Sequence, residues 1–244
     1  MPIPDDRRPT TFRLVVVPGV IVDRWSRTWS ERLPRVDLRL VPVEAAQAVT
    51  VLSDGADAGL LRLPVDQDAF HAIPLYTEVT VVVVPRDHLL AAADEVTVAE
   101  LAGETLLRAQ DDVLAWTEVP GTPAAHRPAT TAAAVELVAA GIGLLVVPMS
   151  LARAHHRRDL THRVVTDAPT SSVALVWARD RYTDLVEEMI GIVRGRTANS
   201  TRGRAPTPAA SAEPPARGRT KKAPPAAKRA GVRRGGTDPR RRKR

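Results

Sequence analysis

Between Phe12 and Arg62 the hydrophobic pattern switches repeatedly between short apolar runs and a helical period, with only brief polar breaks, and that alternation permits few folds. Phe12 to Val17 is an apolar run closed by Pro18-Gly19, the pattern of a buried strand ending in a turn. Ile21, Val22, Trp25, Trp29 and Leu33 then recur at helical spacing until Pro34 stops the helix. Val36, Leu38, Leu40 and Pro42 alternate with charge as in a half-buried strand. A second helix is predicted from about Glu44 to Leu52, Asp54-Gly55 turns the chain, and Ala58 to Leu61 is a short buried strand running into Arg62-Leu63-Pro64. Strand, helix, strand, helix, strand with such short connections predicts a parallel sheet covered by helices, since parallel neighbours need a crossover that packs on the sheet face.

The chain then repeats this logic. The β-branched run from Val79 to Val84 is a strong strand, Val96 to Ala102 reads as a short helix led by Thr97, and Thr105 to Leu107 as a strand. Asp111 to Arg127 is loop-rich. Thr130 or Thr131 caps an alanine-rich helix to Ala140, Gly141 ends it, Gly143 to Val147 is a strand, and Pro148 opens a helix to Arg158. Val164-Val165 and Val173 to Trp177 are strands, and Leu185 to Arg194 is an amphipathic closing helix. Two α/β lobes joined by two crossovers fit this order better than a single sheet.

Charge divides the chain sharply. From Arg196 to Arg244 there are 16 basic and two acidic residues, seven prolines and no aromatic residue, so this segment carries about +14 in a chain of formal net charge +7. The preceding residues therefore carry about −7, with 19 arginines, 26 acidic residues and no lysine. Such a segment cannot bury enough apolar surface to offset its ordering entropy, which predicts a disordered tail over 196–244 until it meets a polyanion.

With no cysteine among the 244 residues, thiol catalysis, disulfides and cysteine-ligated metals are excluded, which fits a reducing cytoplasm. Met1 to Thr11 lacks the apolar core of a secretory signal, and no apolar run approaches a membrane span. A cytoplasmic protein without a membrane partner is expected, with nucleoid association open through the tail. Gly141-Ile142-Gly143 lacks a third glycine and follows a helix, so it fails as a dinucleotide fingerprint. No Gly-x-Ser-x-Gly, phosphate loop or His-Glu-x-x-His occurs, so neither catalysis nor a cofactor is expected.

Five segments, in order and at family spacing, resemble the effector-binding domain of LysR-type transcriptional regulators: 54–64 (DGADAGLLRLP), 77–91 (TEVTVVVVPRDHLLA), 96–107 (VTVAELAGETLL), 139–148 (AAGIGLLVVP) and 168–181 (APTSSVALVWARDR). The resemblance implies a type 2 periplasmic-binding-protein-like fold over 11–195 after an N-terminal extension, 1–10. Lobe one is expected from 11–76 and 168–195, lobe two from 77–167, with an effector in the cleft between them. Family regulators carry an N-terminal winged helix-turn-helix, whereas only ten residues precede the first strand here. The loop after that strand, where relatives often offer a hydroxyl to an effector carboxylate, is Pro18-Gly19-Val20.

Open α/β sheets bind ligands at the carboxyl ends of their strands. The effector candidates are therefore Gly19 and Val20 after the first strand, Glu44 at the second helix, Arg62 after the third strand, and Thr130 with Thr131, whose helix N-terminus could hold an anion. The bland alternatives are a cap for Thr131 and a surface ion pair for Arg62. Trp25 and Trp29 share a helix face and read first as core, with Trp25 near enough to wall the cleft. Tyr76, Thr77, Thr166 and Asp167 are the expected hinge. His155, His156, Asp159 and His162 contain metal-capable groups, but adjacent histidines diverge on a helix and Arg157-Arg158 repels a cation, so no metal site is expected.

In the tail, Arg202-Gly203-Arg204 and Arg217-Gly218-Arg219 are similar to the Arg-Gly-Arg core of AT-hooks, which fits a narrow minor groove. The stretch from Lys221 to Arg229 is similar in composition to linker-histone tails. Nucleic-acid contact is expected at these arginines and at Lys221, Lys222, Lys228, Arg229, Arg233, Arg234, Arg240, Arg241, Arg242, Lys243 and Arg244. DNA is the expected polyanion and RNA the alternative. The sequence thus points to a non-enzymatic sensor of a small, anionic effector, with a homodimer left open. A cytoplasmic metabolite carrier without a gene-regulatory role is the alternative.

Overall fold

The computed structural model describes residues 10–196. The nucleic-acid candidates from Arg202 to Arg244 and the expected disorder of the tail lie outside the described residues. In chain order the elements are β1 (Thr10–Val16), α1 (Asp23–Arg32), β2 (Val36–Pro42), α2 (Ala45–Ser53), β3 (Ala58–Arg62), β4 (Phe70–Glu78), β5 (Thr80–Pro85), β6 (Glu95–Val96) and β7 (Thr105–Leu107). There follow β8 (Thr122–Pro123), α3 (Thr131–Ala139), β9 (Leu144–Pro148), α4 (Met149–Ala154), β10 (Leu160–Val165), β11 (Ser171–Ala178) and α5 (Asp184–Val193).

The strands form two sheets, as the alternation predicts. The first has the order β2-β1-β3-β11-β4, in which β2, β1, β3 and β4 run one way and β11 runs antiparallel between β3 and β4. The inner strands β1, β3 and β11 bury both faces by simple alternation. Phe12, Leu14, Leu60 and Leu175 meet α1 and α5, while Val15, Leu61, Ala174 and Val176 meet α2. The second sheet has the order β6-β10-β5-β9-β7-β8. Val81, Val83, Leu145 and Val147 face α3 and α4, and Val82, Val84, Leu144 and Val146 pack beneath the 3₁₀ turns at Leu89–Ala92 and Ala99–Leu101.

The chain passes between the sheets twice, at Val79 and again over 166–170. Thr80 donates from its hydroxyl to the Pro169 carbonyl, tying the two passages together. Tyr76 and Thr77, expected as hinge residues, are ladder residues of β4, opposite Val173 and Ser172, so the first passage begins later than expected. Thr166 and Asp167 lie in the second passage but are fastened to lobe two: Thr166 N–H donates to the Val96 carbonyl at 3.0 Å, and Asp167 accepts from Val98 N–H at 2.7 Å.

Several local expectations need correction. Val96 belongs to β6, paired with Val165, so the helix expected over 96–102 shrinks to one 3₁₀ turn, with Glu100 accepting from Thr97 N–H and hydroxyl. Pro148 ends β9 rather than standing inside a helix, and α4 stops at Ala154, leaving His155 to Arg158 to turn into β10. Strand β4 is missing from the sequence reading because Pro74 interrupts it. The structure accommodates that proline on a sheet edge, beside a bulge that skips Leu75 in the pairing with β11. Arg196, counted with the tail, is held by α5: its N–H donates to the Gly191 carbonyl at 2.9 Å and its guanidinium to Glu187 at 3.0 Å.

Candidate functional site

Parallel β1 and β3 end side by side, which brings the Pro18-Gly19 loop next to Arg62. The Arg62 side chain is only 6% exposed. Its Nη1 donates to the Glu78 carboxylate, itself 7% exposed, and to Ser171 Oγ at 3.0 Å. Its Nη2 donates to the Pro18 carbonyl at 3.1 Å and to Ser150 Oγ at 3.1 Å. Three strand ends of the first sheet are thereby joined to the first turn of α4, which packs on the second. Arg62 is thus a buried junction with both terminal nitrogens engaged, and not the surface ion pair weighed from sequence.

Gly19 adopts φ +86°, and a Cβ there would lie 2.4 Å from Ser150 Oγ and 3.3 Å from Arg62 Nη2. Glycine is what lets the β1 loop touch α4. Consecutive residues part company at this contact. Pro18 and Leu151 face a cavity of about 200 Å³, whereas Gly19 and Ser150 face a groove of about 830 Å³.

The candidates divide between these two spaces. Gly19, Val20 and Trp25 line the groove, together with Tyr76, Thr77 and the α4 residue Arg153. Trp29, one turn beyond Trp25, is wholly buried, tilted against Phe12 at 4.7 Å between ring centroids, and donates from Nε1 to the Val36 carbonyl at 3.0 Å. Burial, and secondarily the Glu78 carboxylate, raises the Tyr76 phenol above its usual range, against an opposing pull from Arg62.

Glu44, Arg62, Thr130 and Thr131 line the smaller cavity, with Asp111 and His155. Thr130 is the true cap of α3, its hydroxyl accepting from Ala133 N–H at 3.2 Å. Thr131 is 2% exposed, and both its N–H and its hydroxyl donate to the Asp111 carboxylate, each at 2.9 Å. The helix N-terminus expected to receive a ligand anion thus already holds one from the protein. Glu44 caps α2 by position but not by hydrogen bond, and among the described residues its carboxylate has no partner.

The sequence reading missed Asp111, Glu78, Ser150 and Ser171. Asp111 lies twenty residues before the helix it serves, and Ser150 meets Arg62 from the other lobe, so only the tertiary fold brings them in. Among the described residues no group of three or more His, Asp or Glu side chains is placed to hold a metal. His162 is held below its ordinary pKa by burial and then by Arg153, Arg163 and His156.

Residues 7–198 match the LysR substrate binding domain. The chain belongs to this family. A probable hydrogen peroxide-inducible genes activator of Mycobacterium leprae (strain TN) is 32% identical over 133 residues, 50% of this chain and 43% of that protein. The Hca operon transcriptional activator HcaR of Escherichia coli (strain K12) is 25% identical over 182 residues, 70% of this chain and 61% of that protein. The chain therefore spans about half the length of these curated LysR relatives. Among solved structures, the BenM effector binding domain with its effector benzoate has a TM-score of 0.63 at 18% identity, covering 82% of this chain and 96% of that one. The oxidized form of OxyR has a TM-score of 0.61 at 23% identity, covering 78% and 99%. The two-lobed arrangement is thus that of LysR effector-binding domains.

Proposed function

We propose that the chain is the ligand-sensing part of a transcriptional regulator. A small molecule enters the cavity bounded by Glu44, Arg62, Asp111 and Thr131 and favours one arrangement of the lobes, which move about the passages at Val79 and 166–170. The observation that carries this reading is the cavity's position. It lies at the carboxyl ends of β1 and β3, facing the first turns of α2 and α3, where open α/β sheets take ligands. The expectation that the ligand is an anion rested on the N-terminus of α3 and on the family resemblance, and Asp111 removes the first of these grounds. The peroxide response named for the M. leprae relative cannot run through a thiol in this chain, which has no cysteine.

Contact with DNA is assigned to the basic residues between Arg202 and Arg244, on the strength of their charge, in a cytoplasmic protein that the tail holds at the nucleoid. A homodimer is the smallest assembly in which lobe movement could alter the spacing of two such contacts. The test of ligand sensing is native mass spectrometry of the full chain purified from its own host. A retained small molecule, lost in an Ala45→Trp variant that fills the cavity, is the expected result. Retention in that variant would place the ligand elsewhere.

A further inference from the structure

We propose that the cavity takes a small cation, an amine or a guanidinium, and that Asp111 is the residue that turns anions away. This rests on the reading that the cavity is the effector site. Four observations carry it.

The N-terminus of α3 is occupied, since both Asp111 oxygens accept from Thr131 and a ligand carboxylate would have to displace them. Arg62 has its charge matched by Glu78, and both of its terminal nitrogens are engaged in four hydrogen bonds. Glu44 adds a second carboxylate to the lining, one without a partner among the described residues. The fourth observation is what the surroundings lack. The described residues contain no lysine, Arg108 is paired with Asp112, and Arg157 is paired with Asp159 and Glu136. Arg127 donates to the Ala109 carbonyl, makes no ion pair with Asp111 and does not line the cavity.

The lining therefore presents two carboxylates and one imidazole, His155, beside a neutralised Arg62–Glu78 pair. Charges facing a ligand across a cavity interact more strongly than in open water, more so at part-buried Asp111 than at exposed Glu44, so the sign of the lining discriminates between ligands of equal size. An ammonium group can donate to Glu44 and to the remaining lone pairs of Asp111, whereas the one arginine a carboxylate meets in the lining already has a carboxylate partner.

The experiment is calorimetric titration of the full chain, at low salt and millimolar ligand, with benzylamine, benzamide and benzoate, which share a ring and differ in head-group charge. Benzylammonium is expected to bind about tenfold more tightly than benzoate or better, an order of magnitude in Kd being the smallest difference a single well-placed charge contact should give. Glu44→Gln, at an exposed position that leaves folding untouched, should weaken benzylammonium alone. Asp111→Asn should remove most of the discrimination, and Ala45→Trp should abolish binding in the cavity while leaving any binding to the basic tail unchanged. Benzoate binding as tightly as benzylammonium and lost in Ala45→Trp would overturn the charge preference and leave the cavity as the site. Benzylammonium binding that survives Ala45→Trp would overturn the cavity itself. Failure of all three compounds to bind would overturn the proposal.

Discussion

Arg62 Nη2 and Ser150 Oγ lie 3.1 Å apart and join the end of β3 in one lobe to the first turn of α4 in the other. The same guanidinium holds Glu78 at the end of β4, the strand that leads into the first passage between sheets. One side chain thus touches the cavity, the passage and the opposite lobe. A cation held by Glu44 and Asp111 would bear on the Arg62 guanidinium beside it, and so on the bonds that join the lobes, which is a differential interaction of the kind a two-state response needs.

Arg62→Ala is expected to unfold at markedly lower urea concentration than the parent. Removing one member of a buried ion pair strands the other, at a cost of about 3–5 kcal/mol. As the exposed effector contact or surface ion pair weighed from sequence, Arg62 would have been replaceable with little loss of stability. Replacing the pair together, as Arg62→Met with Glu78→Leu, should recover most of the stability, since no lone charge remains buried. Unfolding followed by tryptophan fluorescence measures both, and an Arg62→Ala chain as stable as the parent would show that Glu78 reaches water.

Gly19→Ala should destabilise the chain through two separable effects. The new methyl overlaps Ser150 Oγ, and left-handed backbone costs a non-glycine residue about 1–2 kcal/mol. Ser150→Gly removes the overlap and also the bond that Ser150 Oγ accepts from Arg62, so the backbone cost is read as the effect of Gly19→Ala in the Ser150→Gly background. A Gly19→Ala cost as large in the Ser150→Gly background as in the parent would mean that the β1 loop does not press on α4.

The layered α/β plan was legible because strands buried on both faces, such as Ala58 to Leu61, must be apolar throughout, and the helices between them carry one apolar stripe. Strand β4 was not, because Pro74 argues against a strand unless its edge position is known. The cavity candidates were reachable in kind, since strand ends and helix starts collect ligands, but their states were not. Arg62 looked free because Glu78, Ser150 and Ser171 are distant in sequence, and Thr131 looked open because Asp111 arrives from a loop of no regular pattern.

Stability should fall as pH rises above about 10, the ordinary phenol value, because both tyrosines are raised in the folded chain. For Tyr76 the main cause is burial, and for Tyr182 it is the hydrogen bond to Glu187. The sign follows from proton counting: above pH 10 the unfolded phenols ionise first, so the unfolded state holds fewer protons and gains on the folded one. Phenolate absorbance should appear later in the native chain than in urea. Tyr76→Phe should remove its share of the pH dependence, and an unchanged profile in Tyr76→Phe would mean that the groove is wetter than its burial implies.

Binding to DNA should belong to the segment after Arg196, be steep in salt and show slight sequence preference. If about five to eight phosphates are neutralised, the logarithm of affinity should fall against the logarithm of salt with a slope of roughly −5 to −7. The measurement is a mobility shift at two salt concentrations with the full chain, a chain ending at Arg196, and a peptide of 197–244. Residue 196 is the sensible end point because its ion pair with Glu187 ties it to α5. Changing Arg202, Arg204, Arg217 and Arg219 to glutamine should flatten the slope by about one for each phosphate no longer neutralised, with some bias toward narrow A·T-rich grooves disappearing at the same time. Equal affinity for RNA would move the assignment to single strands, and no binding by the peptide would favour a metabolite carrier. Tight, salt-insensitive binding by the chain ending at Arg196 would place a DNA-reading surface on the lobes, in spite of the net negative charge that their residues carry.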